Sequence, residues 1–92
     1  MIYADAPRKY SRRGHSWSHV WSPSPEHLVE YAKKHGLKRK HRYPWIHYDV
    51  TAEELKALPD IVVLDRRKLF AIMAPYKQPR LKVRARLDEH TD

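Results

Sequence analysis

The sequence predicts a small single-domain α/β fold. The expected core is a short, mainly parallel sheet of three to four strands flanked by about three helices. Three observations predict it. Strand-like and helix-like segments follow one another in the order strand, helix, strand, helix, strand, helix, as in layered α/β folds. Ile61-Val62-Val63-Leu64 is a continuous apolar run, the pattern of a strand buried on both faces of a parallel sheet. Right-handed crossovers would then make the central strands parallel. The domain is expected over residues 1–75, with a basic extension over 76–92.

Ile2-Tyr3-Ala4 reads as a first strand that ends before Pro7, and the basic stretch 6–16 as a loop. Trp17, His19 and Trp21 alternate with Ser18 and Val20, which predicts an extended segment with one aromatic face. A helix is predicted over 25–35. Ser24 caps it, Pro25 suits its first position, and Glu26 and Lys33-Lys34 match its dipole. Leu28, Tyr31, Ala32 and His35 form its inward stripe, and Gly36 suits a left-handed cap. Leu37 to His41 reads either as a charged edge strand or as a solvated loop.

Ile46 to Val50 is strand-like. Thr51 and Glu54 form a capping-box pattern for a short helix that Pro59 stops. Asp65 caps a last helix over about 66–74, with Leu69, Phe70, Ile72 and Met73 apolar and Pro75 ending it. Leu81, Val83, Ala85 and Leu87 then alternate with Lys82, Arg84 and Arg86. That period of two fits an added strand or an arm pairing with a second copy of the chain.

The chain has 92 residues and a formal net charge of +8. Without Cys it is no disulfide scaffold, and no apolar run suits a membrane span. The first residues do not resemble a signal peptide. A soluble, cytoplasmic domain is the expectation. Its cations cluster at Arg8-Lys9 and Arg12-Arg13, at Lys33 to Arg42, at Arg66 to Lys68, and along 77–86. Such clusters suit phosphate-backbone contacts, and nearby aromatics suit stacking on unpaired bases. Arg12, Arg13, Lys38, Arg39, Lys40 and Arg42 are the candidate phosphate contacts, with Tyr43 or Trp45 as a stacking platform.

Ile2-Tyr3-Ala4-Asp5, Trp17-Ser18-His19, Gly36-Leu37, His47-Tyr48-Asp49-Val50-Thr51 and Ile61 to Leu69 follow in this order. Together they resemble the domain of unknown function 4031 family, small proteins of bacteria and their phages, over about residues 1–73. The resemblance implies a characteristic polar cluster of Asp5, Trp17, His19, His47, Tyr48 and Asp49, and no particular reaction. The chain departs from the family pattern at Ser22-Pro23-Ser24, where an acidic residue is expected. It also has a short segment between Asp49 and Ile61 that lacks an expected basic residue.

Ligands of open α/β sheets sit at the carboxyl ends of the strands, which places Asp5, His47-Tyr48-Asp49 and Asp65 together. By type, Asp5, His19, His47 and Asp49 are candidate catalytic residues. His19, His47 and Asp49 are candidate ligands for a divalent Zn, Mn or Fe ion. The competing reading makes these groups hydrogen-bonded structural elements, with Asp49 helping to cap the helix after Thr51. His27, His35 and His41 are read as parts of the helix surface and basic cluster. A phosphate-binding glycine loop and a G-x-S-x-G elbow are both missing, which argues against a P-loop nucleotide enzyme and a serine hydrolase.

Three functions remain. The first is an accessory protein that binds nucleic acid through phosphate contacts. The second is a metal-dependent, nuclease-like hydrolase. The third is an interaction module acting on a host protein, with the C-terminal arm joining a partner or a twin subunit.

Overall fold

The computed structural model describes residues 1–9 and 14–78. Arg12, Arg13, and the alternating segment 81–87 expected to form a strand or dimer arm, lie outside these residues. Among the described residues six strands form one mixed sheet: β1 (Ile2–Asp5), β2 (Arg8–Lys9), β3 (Ser16–Trp21), β4 (Arg39–His41), β5 (His47–Thr51) and β6 (Ile61–Leu64). Their order is β4-β5-β3-β1-β6, with β2 alongside β3.

The sheet is therefore larger than expected and mostly antiparallel. β1–β6 is the parallel pair, whereas β1–β3, β2–β3, β3–β5 and β4–β5 are antiparallel. Connection lengths explain the difference. Adjacent parallel strands need a crossover of a dozen or more residues, usually helical. Between β1 and β3 the described residues hold only β2, and β3 lies antiparallel to both β1 and β2. Residues 42–46 likewise turn β4 directly into β5. Among these neighbours, β6 reaches its parallel place beside β1 after a helical connection.

Three helices follow the predicted signals closely. α1 (Pro25–His35) begins at Ser24, whose hydroxyl accepts the His27 N–H, and ends at Gly36 with φ 71°. α2 (Ala52–Lys56) carries the full capping box of Thr51 and Glu54. α3 (Arg66–Met73) starts at Asp65, whose carboxylate accepts the Lys68 N–H at 2.9 Å. Pro75 does not end the chain's helical path outright, because Ala74–Tyr76 continue as a 3-10 turn. Tyr76 then packs edge-on against Trp21, and the Gln78 N–H donates to the Pro44 carbonyl. The first residues of the basic extension are thus fastened to the domain.

Side chains alternate between the two faces of a strand, which gives the sheet two separate cores. Ile2, Ala4, Val20, Tyr48 and Val50 cluster with Leu28, Tyr31 and Ala32 of α1 and Leu55 of α2. Trp21 clusters with Leu69 and Met73 of α3, together with Tyr3, Trp45, Leu64 and Phe70. β6 is not buried on both faces as its apolar run suggested. It is an edge strand, and Val63 is 47% exposed.

Candidate metal centre

The α3 face of the sheet also carries Asp5, His19, His47 and Asp49. Register dictates this. His19 pairs directly with Asp49, and Ala4 with Val20, so Asp5 stands beside His19 across the next strand pair. His47 precedes Asp49 by two residues and shares its face. Tyr48 lies between them, points to the opposite core and is buried there. Of the expected polar cluster, four residues converge and Tyr48 does not join them. Trp17 shares β3 with His19 but is covered by the Arg39 guanidinium, 4.9 Å from its ring centroid.

Asp5 is fully buried. Its Oδ1 accepts the backbone N–H of His19 at 2.7 Å, and Oδ2 lies 3.0 Å from His19 Nδ1. Burial pushes this carboxyl up. The His19 hydrogen bonds and the imidazole's charge outweigh that effect and hold it below the usual range. The carboxylate therefore fixes the tautomer with hydrogen on Nδ1, and Nε2 is the nitrogen His19 offers to a ligand.

His47 is arranged in the same way. Its Nδ1 lies 2.9 Å from the Trp45 carbonyl, which selects the same tautomer. Burial, aided by the nearby His19 and His41 rings, holds its pKa below the usual imidazole range. The Trp45 carbonyl and Asp49 oppose that effect without reversing it. A neutral His47 is the form a metal binds.

The rings of His19 and His47 meet edge to face at 5.2 Å. Asp49 completes the group, and one ligand atom from each of His19, His47 and Asp49 lies within 4.8 Å of the others. Asp49 Oδ1 is buried, 3.6 Å from His47 Nε2, and no hydrogen-bond donor among the described residues reaches it. Asp49 does not cap α2; Thr51 and Glu54 do. Asp65 caps α3 and takes no part in the cluster.

The other candidate residues divide. Lys38, Lys40 and Arg42 are exposed, and Tyr43 is 38% exposed. Arg39 pairs with Glu54 while covering Trp17. Trp45 is no open platform: its indole N–H donates to the Met73 carbonyl at 2.7 Å, and its ring packs on Phe70. Two residues by the cluster escaped notice in the sequence. Phe70 sets its ring against His19, and the Arg66 guanidinium lies over the Phe70 ring, 5.1 Å from its centroid. His41 lies 2.9 Å from Asp49 through its Nε2. Phe70 read as one apolar position of a helix stripe, and His41 as one more basic residue in a run of cations. No local pattern marked either.

A family model for a protein of unknown function (DUF4031) matches residues 2–71. The chain belongs to the DUF4031 family. The match spans all six strands and extends through most of α3, so the whole His/Asp cluster lies inside the family region. No curated protein and no solved structure matches the chain. Before α1, Ser22 is buried and accepts the Ser24 N–H, and Ser24 caps the helix. These serines build the turn and leave the four-residue cluster to other elements.

Proposed function

We propose that this member of the DUF4031 family is a divalent-metal-dependent hydrolase acting on phosphodiester bonds of nucleic acid. The observation that carries this reading is the buried Asp49 Oδ1, which no donor among the described residues reaches and which stands beside two imidazoles whose Nδ1 atoms are already engaged. A buried carboxylate oxygen without a hydrogen bond is costly, and an ion is one of the few groups that satisfies it.

Two imidazoles and one carboxylate suit Zn²⁺, Mn²⁺ or Fe²⁺. One ligand atom from each of the three residues already lies within 4.8 Å of the others, near enough for a single ion to be shared among them. Such an ion supplies Lewis acidity and an activated water. The chain's own groups supply the rest. His19, His47 and Asp49 would hold the ion, and Asp5 orients His19. Arg66, set over Phe70 beside His19, would bring positive charge toward a bound phosphate, whereas Arg39, cross-strand from Asp49, is paired with Glu54. In hydrolysis the water oxygen bonds to phosphorus and the bond to the leaving ester oxygen breaks. One water proton passes to solvent, and the leaving oxygen takes up a proton.

Metal analysis of the purified chain and of His47→Ala, with a nuclease assay across several divalent ions, tests the reading. Bound metal and cleavage in the wild type, both lost in the variant, are expected. Wild-type protein with neither overturns it.

A second reading is nucleic-acid binding without cleavage. The exposed cations Lys38, Lys40 and Arg42 beside Tyr43 favour it. Binding should then weaken steeply with salt, and a log–log slope near zero would remove it.

A further inference from the structure

His41 stands at the end of edge strand β4, paired in register with His47. It touches two of the three residues that would hold the metal without belonging to the group itself. Its Nε2 lies 2.9 Å from Asp49 Oδ2, and its ring stacks on His47 with centroids 5.1 Å apart and planes 15° from parallel. The two oxygens of Asp49 are thereby made different. Oδ2 is held by His41, while Oδ1 is turned inward beside His47.

We infer that His41 is a positioning residue of the metal centre: it holds Asp49 so that Oδ1 faces the ion, and it braces the His47 ring. This rests on the metal reading above. A carboxylate held by one bond rotates readily about its last torsion and would offer either oxygen. An imidazole nitrogen 2.9 Å from Oδ2 restricts that freedom, and the stacked ring opposes rotation of His47. Partners of this outer kind commonly contribute 10–100-fold to metal affinity. An edge strand accounts for a polar residue at this place. It does not account for a short contact to one carboxylate oxygen combined with near-parallel stacking on a neighbouring imidazole.

The test is a cobalt(II) titration of the full chain, read by calorimetry and by the visible spectrum of the bound ion. His41→Ala, His41→Phe and His41→Gln are compared with the wild type. His41 is half exposed on an edge, so all three variants should fold, which far-ultraviolet circular dichroism checks. His41→Ala and His41→Phe should bind about 10–100-fold more weakly with an altered spectrum. Phe keeps a ring but has no donor. His41→Gln, whose amide donates, should recover most of the affinity and the wild-type spectrum. If the wild type binds cobalt and the Ala and Phe variants match it in both readouts, the inference falls and the metal centre stands. An equal loss in Ala and Gln also overturns it, because the donor would then be irrelevant. A wild type that binds no cobalt removes the metal centre and the inference together.

Discussion

The carboxylate of Asp5 receives His19 twice, at the backbone N–H and at the ring Nδ1, and does so in full burial. One side chain thus fixes both the path of β3 and the tautomer of a candidate ligand. The two duties separate on substitution. Asp5→Ala leaves a His19 N–H without an acceptor and should cost about 1–3 kcal/mol in urea unfolding of the metal-free protein. Asp5→Asn keeps an oxygen for the backbone N–H but turns an amide donor toward Nδ1. The proton on His19 must then move to Nε2, which blocks ligation. Its metal affinity should fall about 10–100-fold with a smaller loss of stability. Equal metal affinity in Asp5→Asn and wild type would show that the tautomer does not matter.

Asp49 presents the opposite balance. Its Oδ1 is buried and no donor among the described residues reaches it, so the metal-free fold gains little from that oxygen. Asp49→Asn should leave the metal-free protein as stable as the wild type, within about 0.5 kcal/mol, or more stable. Metal affinity should fall about 100-fold. Thermal melts with and without added metal check both halves: the wild type should gain from metal and the variant should not.

Trp45 is expected to act inside the fold. Trp45→Phe keeps the ring packing on Phe70 and removes the donor to the Met73 carbonyl. The cost should be about 1 kcal/mol in denaturant unfolding. Nucleic-acid affinity, measured by anisotropy at fixed salt, should be unchanged. Tyr43→Ala, at an exposed position, should weaken it instead.

Glu54 makes part of the stability depend on pH. Burial raises its pKa, but the Arg39 bond and the Thr51 cap together outweigh this and hold it below the usual glutamate range. The sign follows from a lowered folded value. The contribution is complete above the unfolded pKa and is lost as pH falls through the folded one. Both partners are about half exposed, so the effect should stay below about 1 kcal/mol. Glu54→Gln retains a capping-box partner and should flatten this acidic limb of the stability profile, as read by melts between neutral and acid pH.

Much of the architecture is written locally. Ser24, Thr51 and Asp65 each begin a helix through a hydrogen bond spanning three residues, and Gly36 ends one through its own backbone angle. Such signals need no distant partner. The alternation of Trp17, His19 and Trp21 also carried over, since a strand's two faces follow from its pleat. β6 was legible as a strand, but its apolar run did not reveal that it forms an edge.

What the sequence by itself determined, then, is a set of capped helices, a set of strands, family membership, and the residue types available for chemistry. The tertiary structure alone decided the strand directions and neighbours. Connection length and packing of the two faces set these, and neither is a local property. Register then placed Asp5, His19, His47 and Asp49 on one face and sent Tyr48 to the other. It also brought His41 from a run of cations to Asp49, and it turned Trp45 into the second core. A one-residue slip of any of these strands would reverse its faces and disperse the cluster. The candidate centre is therefore a consequence of pairing between strands far apart in the chain, where no short motif announces it.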